Sequence, residues 1–199
     1  MNREAWDERY ATAELIWKAD PNRFLIEEVD ALEPGRALDV ACGEGRNAVW
    51  LASKGWRVTG VDFSRTGLAK AQRLAADRGV EVTWVEADLV EWRPPVASFD
   101  LVIVMYLHLV AQLRRQVLAN AAAALAPGGM VLVVGHDTAN LQEGTGGPQD
   151  PAVLFMPEDI AEDLLGLDIE RAERVTRTVV TDAGEMTAVD ALVRAVRPR

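Results

Sequence analysis

Arg36-Ala-Leu-Asp-Val-Ala-Cys-Gly-Glu-Gly-Arg-Asn47, running on as an amphipathic segment to Lys54, is the stretch that decides the fold. It reads as a buried strand, a glycine turn and a helix, with one acid, Asp39, seated inside the strand. A second strand, Arg57-Val-Thr-Gly-Val-Asp62, ends in another carboxylate. Gly43 and Gly45 let the backbone turn tightly and leave room for a ligand to touch the main chain. Asp62 falls where a doubly wound sheet offers a carboxylate to a ribose, with helix capping ahead of Ser64 as the competing reading. The unit is a nucleoside-binding half-domain.

Outward from it, strand-type and helix-type periods alternate. The pattern predicts strands at about 36–42, 57–62, 80–87, 100–105 and 130–135, and helices at 45–54, 65–78 and 111–125. Ser64 is placed to cap the second helix. The segment Asp100–Met105 is almost wholly apolar, as a central parallel strand covered on both faces must be. Pro127-Gly128-Gly129 reads as a stop before the fifth strand. Such alternation implies a parallel sheet with right-handed crossovers. Residues 1–32 read as a helical cap interrupted at Pro21, and 137–157, rich in glycine and proline, as a lid or binding loop. A short acidic helix at 158–165 and two β-like segments at 168–180 and 186–196, joined by a hairpin turn, close the chain. No domain boundary is visible in 1–199.

Composition narrows the partners. With 199 residues, 49% of them apolar, the chain suits one α/β domain with a full core. No run of 18 apolar residues exists, and the charged start at Met1-Asn-Arg-Glu has no signal-peptide core. Cys42 is the single cysteine, so no internal disulfide forms, which suits a cytoplasmic enzyme. The net charge of −10 with scattered arginines argues against nucleic acid and anionic membranes, and favours a small neutral or cationic ligand.

A glycine turn alone does not choose a nucleoside. Three details speak against a dinucleotide. Ala48 stands where a third fingerprint glycine would fall, although alanine is tolerated there. Glu44 puts a negative charge into the turn where a pyrophosphate would approach, unless its side chain points away. Asp39, four residues before Gly43, faces the same opening and suits an ammonium or sulfonium group. S-Adenosylmethionine carries both, and the lysine–serine pair of a triphosphate loop is missing. Hydrogen bonding of Asp39 to loop amides is the bland alternative.

Taken together, Asp39-Val-Ala-Cys-Gly-Glu-Gly45, Asp62, Glu86-Ala-Asp-Leu89, Phe99–Met105 and Leu125-Ala-Pro-Gly-Gly-Met130 resemble the class I S-adenosylmethionine-dependent methyltransferases. Trp6-Asp-Glu-Arg-Tyr10 and Cys42-Gly-Glu-Gly-Arg-Asn-Ala48 resemble the small bacterial tellurite-resistance-type members. The resemblance implies an α/β, doubly wound, Rossmann-like sheet of seven mostly parallel strands in the order 3-2-1-4-5-7-6. It implies S-adenosyl-L-methionine as cofactor, Asp62 on the ribose hydroxyls and Asp88 on the adenine amino group. Asp39, Ala41, Gly43, Gly45, Arg46 and Asn47 form the candidate cradle, with Phe63, Leu89 and Met105 lining it. Arg46 is placed to hold the cofactor carboxylate or an anionic acceptor, or else to face solvent, and core packing explains Phe63 and Met105 too. Tyr10 and Trp17 could cover the cofactor like a clasp, although a helix face packed on the sheet explains their spacing too.

For chemistry at the acceptor, His108 and His136 follow strands four and five, and Tyr106 stands beside the first. Either histidine could take a proton from an acceptor, or simply sit as a satisfied polar residue in the cleft wall. Cys42 lacks a base and lies inside the turn, which argues against a nucleophile. No second His or Cys stands at metal-ligand spacing. The function expected is methyl transfer to a small molecule bearing a thiol, selenium, tellurium, oxygen or nitrogen nucleophile. A nicotinamide-dependent Rossmann oxidoreductase and a non-catalytic S-adenosylmethionine-binding module are the rivals. Acceptor and oligomeric state are left open.

Overall fold

The computed structural model describes residues 3–12, 14–16, 19–181 and 184–199. Seven strands form one sheet in the order β3-β2-β1-β4-β5-β7-β6. They are β1 Arg36–Val40, β2 Arg57–Asp62, β3 Thr83–Glu86, β4 Phe99–Met105, β5 Leu125–His136, β6 Asp168–Thr181 and β7 Gly184–Val196. The first five run parallel, while β7 lies antiparallel between β5 and β6. This is the strand order implied by the resemblance. The helices are α1 Arg3–Tyr10, α2 Arg23–Val29, α3 Arg46–Ser53, α4 Arg65–Asp77, α5 Ala111–Ala124, α6 Asn140–Glu143 and α7 Pro157–Asp163.

The central strands are apolar on both faces because both faces are covered. In β4, Val102 and Val104 pack with Val117 and Leu118 of α5 and Ile160 of α7. Their alternate neighbours Leu101, Ile103 and Met105 pack with Phe24 and Leu25 of α2 and Leu51 of α3. One apolar strand thus supplies both core layers, which fixes its position and register.

Several boundaries differ from the sequence reading, for local reasons. β1 stops at Val40, because Ala41 takes a left-handed backbone, φ 59°. β3 begins at Thr83 rather than Val80, whose N–H instead closes the end of α4 on the Ala75 carbonyl, 3.0 Å. β5 begins at Leu125, ahead of the expected stop. Gly128 and Gly129 exchange backbone hydrogen bonds with Arg197 just beyond β7, at 2.8 and 2.9 Å. The loop 137–157 is more structured than expected. It holds α6 and a 3₁₀ turn, Pro151–Val153, and Asn140 ties its neck to Gly146 and to the Val189 N–H.

Candidate active site at the carboxyl edge of the sheet

The glycine turn joins the carboxyl end of β1 to α3. Gly43 and Gly45 have φ of 53° and 81°, so both turn residues occupy the left-handed region where glycine is unstrained. Beneath them Asp39 is completely buried. It is hydrogen-bonded by the Ala48 N–H at the start of α3, yet its Oδ2 has no hydrogen-bond partner among the described residues. Burial, and then the nearby Asp62, push its pKa up to about 8. Asp62, at the end of β2, accepts the Gly43 N–H at 2.8 Å on one oxygen and the Ser64 N–H at 2.9 Å on the other. It therefore shapes the turn, and burial raises its pKa against the opposing pull of those N–H groups.

A strap from the N-terminal region covers this turn. Ser64 caps α4 by accepting the Gly67 N–H, and its hydroxyl donates to Asp7 of α1, which also accepts the Thr66 N–H. A carboxylate at a helix N-terminus is favoured by the helix dipole. Tyr10, buried, brings its hydroxyl to 2.7 Å from where a Cβ on Gly43 would stand. Glu44 corrects the sequence reading. Its side chain turns out of the ligand side and is buried against Lys70 of α4, 2.9 Å away. Lys70 also donates to the Glu14 carbonyl, and Glu44 accepts the Ile16 N–H. The charge of Glu44 is spent on fastening the strap, so it carries no argument against a pyrophosphate. Asp39 is left to carry that argument, with Ala48 as the softer second detail.

The second cluster lies where β4, β5 and β7 meet. Tyr106, just past β4, is held in a left-handed conformation, φ 58°, which is strained for a tyrosine and is a feature concentrated at functional sites. Its hydroxyl donates to Asp190 Oδ2 at 2.7 Å, and Arg177 Nε donates to the same oxygen at 2.8 Å. His136, paired in register with Asp190 across β5 and β7, places Nδ1 3.1 Å from Asp190 Oδ1, bent away from hydrogen-bond alignment. His108 Nε2 accepts the His136 backbone N–H at 3.1 Å, and its ring is also hydrogen-bonded to the Tyr106 backbone. Burial, then His136, pull the pKa of His108 down to about 4. Gly147 of the 137–157 loop presses onto the His136 ring, with no room for a Cβ.

The other expected residues distribute as follows. Asn47 is buried and accepts the Asn22 N–H at 2.9 Å, joining α3 to the cap of α2. Arg46 is half-buried within electrostatic reach of Tyr106, Arg177, Asp39 and Glu44. Phe63 and Leu89 are half-buried, and Met105 is buried in the α2–α3 core layer. Asp88 is exposed and accepts the Val90 N–H, organising the turn after β3. Trp17 lies outside the described residues. Burial, reinforced by Asp39 and Asp62, drives the Cys42 thiol pKa up, away from nucleophilic thiolate. Among the described residues no group of three or more His, Cys, Asp or Glu side chains is arranged to hold a metal, and no helix is long and apolar enough to cross a membrane. An open depression of about 850 Å³, lined by Trp56, Gln72 and Thr83 among others, lies at the opposite, amino-terminal edge of β1–β3.

Sequence reasoning missed Asp190, Arg177 and Lys70. The signal for Asp190 was present as a lone acid in the apolar run Ala188-Val-Asp-Ala-Leu-Val193.

Residues 37–129 match the family model described as a methyltransferase domain. Demethylmenaquinone methyltransferase of Thermus thermophilus is 33% identical over 124 residues, covering 61% of this chain and 54% of that protein. The chain spans between 33% and 54% of the first curated relatives it matches. Among solved structures, the N-methyltransferase NodS of Bradyrhizobium japonicum, in complex with S-adenosylhomocysteine, superposes with TM-score 0.71 at 20% identity, covering 99% of this chain and 98% of that one. TehB of Haemophilus influenzae superposes with TM-score 0.73 at 15% identity, covering 98% of this chain and 66% of that one. The strand order, the acid-bearing glycine turn and the match over residues 37–129, just under half of the chain, show a Rossmann-like methyltransferase fold with a methyltransferase domain within it.

Proposed function

We propose that the chain binds S-adenosylmethionine and transfers its methyl group to a small-molecule acceptor. One observation carries the reading: a fully buried carboxylate, Asp39, under a glycine turn, with one oxygen that no described residue partners. A buried acid of that kind calls for a cationic ligand, since pairing replaces the hydration it has lost. The ammonium end of the cofactor meets that need. Each oxygen of Asp62 accepts one backbone N–H and keeps lone-pair capacity for a ribose hydroxyl. Asp88 is the candidate for the adenine amino group, with Phe63, Leu89 and Met105 as apolar lining. Tyr10 and the strap close over the turn.

When bound, the cofactor supplies a methyl group already activated on a sulfonium. The chain's residues then have to orient the acceptor and keep water out. Alignment of this kind accounts for roughly 7–11 kcal/mol of barrier lowering. The loop 137–157, lying on His136, is suited to shield the acceptor. The net charge of −10 favours a small neutral or cationic acceptor over a polyanion.

Calorimetric titration with S-adenosylhomocysteine and, separately, with NADH tests the reading. Binding of the first and none of the second is expected, and the reverse overturns it. Transfer of labelled methyl from S-adenosylmethionine to a panel of phenols, thiols and amines then separates an enzyme from a binding module.

A further inference from the structure

Resting on the methyltransferase reading, we propose that Asp190 is a positioning residue that holds His136 with Nε2 unprotonated, so that His136 takes the proton from an acceptor bearing an O–H or S–H group. Asp190 sits at 0% exposure in the middle of an apolar strand. A buried carboxylate persists there only if it is well partnered. Its Oδ2 accepts two donors, the Tyr106 hydroxyl and Arg177 Nε. Its Oδ1 faces His136 Nδ1 at 3.1 Å, an electrostatic contact bent away from hydrogen-bond alignment. Burial opposes ionisation of Asp190, but His136, Arg177 and Tyr106 outweigh it and hold its pKa below the usual carboxylate value.

An ionised carboxylate is acceptor-only, so the imidazole nitrogen facing it carries the proton. The lone pair is thereby assigned to Nε2, which makes no hydrogen bond to any described residue. His108 cannot serve in its place. Its Nε2 is spent on the His136 peptide N–H, and its remaining nitrogen is committed to the Tyr106 backbone. Strained Tyr106 and half-buried Arg177 thus fix Asp190, Asp190 fixes His136, and His108 fixes the backbone of His136. In the reaction, the acceptor's oxygen or sulfur forms a bond to the methyl carbon. The carbon–sulfur bond breaks with its electron pair left on sulfur, and the acceptor's proton passes to His136 Nε2.

The decisive variant is Asp190→Asn. Tyr106 and Arg177 are both donors, so the asparagine oxygen must keep the Oδ2 position and its NH₂ must face His136 Nδ1. The imidazole must then change tautomer, putting the proton on Nε2. The chain has only two histidines, so ¹⁵N-histidine NMR resolves both rings. The expected result is an Nδ1–H tautomer at His136 in the wild type and an Nε2–H tautomer in Asp190→Asn. An Nε2–H tautomer in the wild type, or no change in the variant, overturns the proposal. The wild-type spectrum decides even if the variant does not fold. On any phenol or thiol that the wild type methylates, Asp190→Asn should turn over at least a hundredfold more slowly with KM for S-adenosylmethionine within twofold, and equal turnover also overturns it. Failure of S-adenosylhomocysteine to bind the wild type would sink the methyltransferase reading instead, leaving the tautomer result as a separate finding.

Discussion

At the scale of single residues, Asp39 has the sharpest consequences. Its pKa is raised from 3.8 to about 8, chiefly by burial, so the ligand-free folded state holds a proton that the unfolded chain gives up at lower pH. Stability contributed by this group is fully present below pH ~4 and falls as pH rises toward ~8, by up to about 1.4 kcal/mol per unit. Asp39→Asn carries no such proton. Urea unfolding at pH 5 and pH 8 should therefore show a loss of stability for the wild type that the variant lacks or shows much reduced. The variant should bind S-adenosylhomocysteine at least a hundredfold more weakly. Wild-type binding at pH 7 should release a proton, read from the buffer dependence of the binding enthalpy. Equal pH slopes for the two proteins would show that Asp39 is ionised without a ligand. Asp39 was legible in the sequence because it sits four residues before Gly43, and Asp62 because it closes the strand that follows the turn and its helix. Asp190 was not, because its partners Tyr106 and Arg177 lie 84 and 13 residues away, just past β4 and on β6, and only the pairing of strands within the sheet brings them together.

At the scale of elements, alternating apolar periods exposed the parallel strands and their helices, since a strand covered on both faces can be little else. Boundaries were less legible where non-local pairing decides them, as in the extension of β5 by Arg197. The N-terminal strap is of the same kind. Its covalent neighbours say nothing about Lys70, yet the Glu44–Lys70 pair, with side chains 2% and 6% exposed, is what fastens it. Lys70→Met leaves a carboxylate buried without its cation, which costs about 3–5 kcal/mol. Pairing it with Glu44→Leu removes both charges and should recover most of that stability. The Ile16 N–H would still lack its acceptor, so the strap should stay loose. Thermal melts should accordingly show a large loss in the single variant and near-recovery in the double. Hydrogen exchange around Ile16 should be fast in both. Protection of Ile16 in the double variant would show that strap and ion pair are independent.

At the scale of the whole molecule, the antiparallel closing pair has to be joined to the parallel half, and β7 does so through β5. A second join crosses the sheet face. Glu28 of α2 is buried and is engaged by Arg171 of β6 and Arg194 of β7. It ties the helix that packs on β4 and β5 to the outermost hairpin. This differs from the strap pair in one respect that decides the energetics: both arginine side chains are 32% exposed. Released from Glu28 they can rehydrate, and Arg194 retains Glu170 at 3.1 Å. Removing the carboxylate should therefore cost less than stranding Glu44, about 1–3 kcal/mol. Because α2 contributes Phe24 and Leu25 to a core layer shared with β4, β5 and β7, the loss should be felt by the whole domain and not by a frayed hairpin. Glu28→Gln should lower the midpoint of a single cooperative unfolding transition, with near-ultraviolet circular dichroism and tryptophan fluorescence remaining coincident. Separated transitions, with the hairpin melting first, would show that β6 and β7 form a unit of their own, held to the rest by the β5–β7 hydrogen bonds alone.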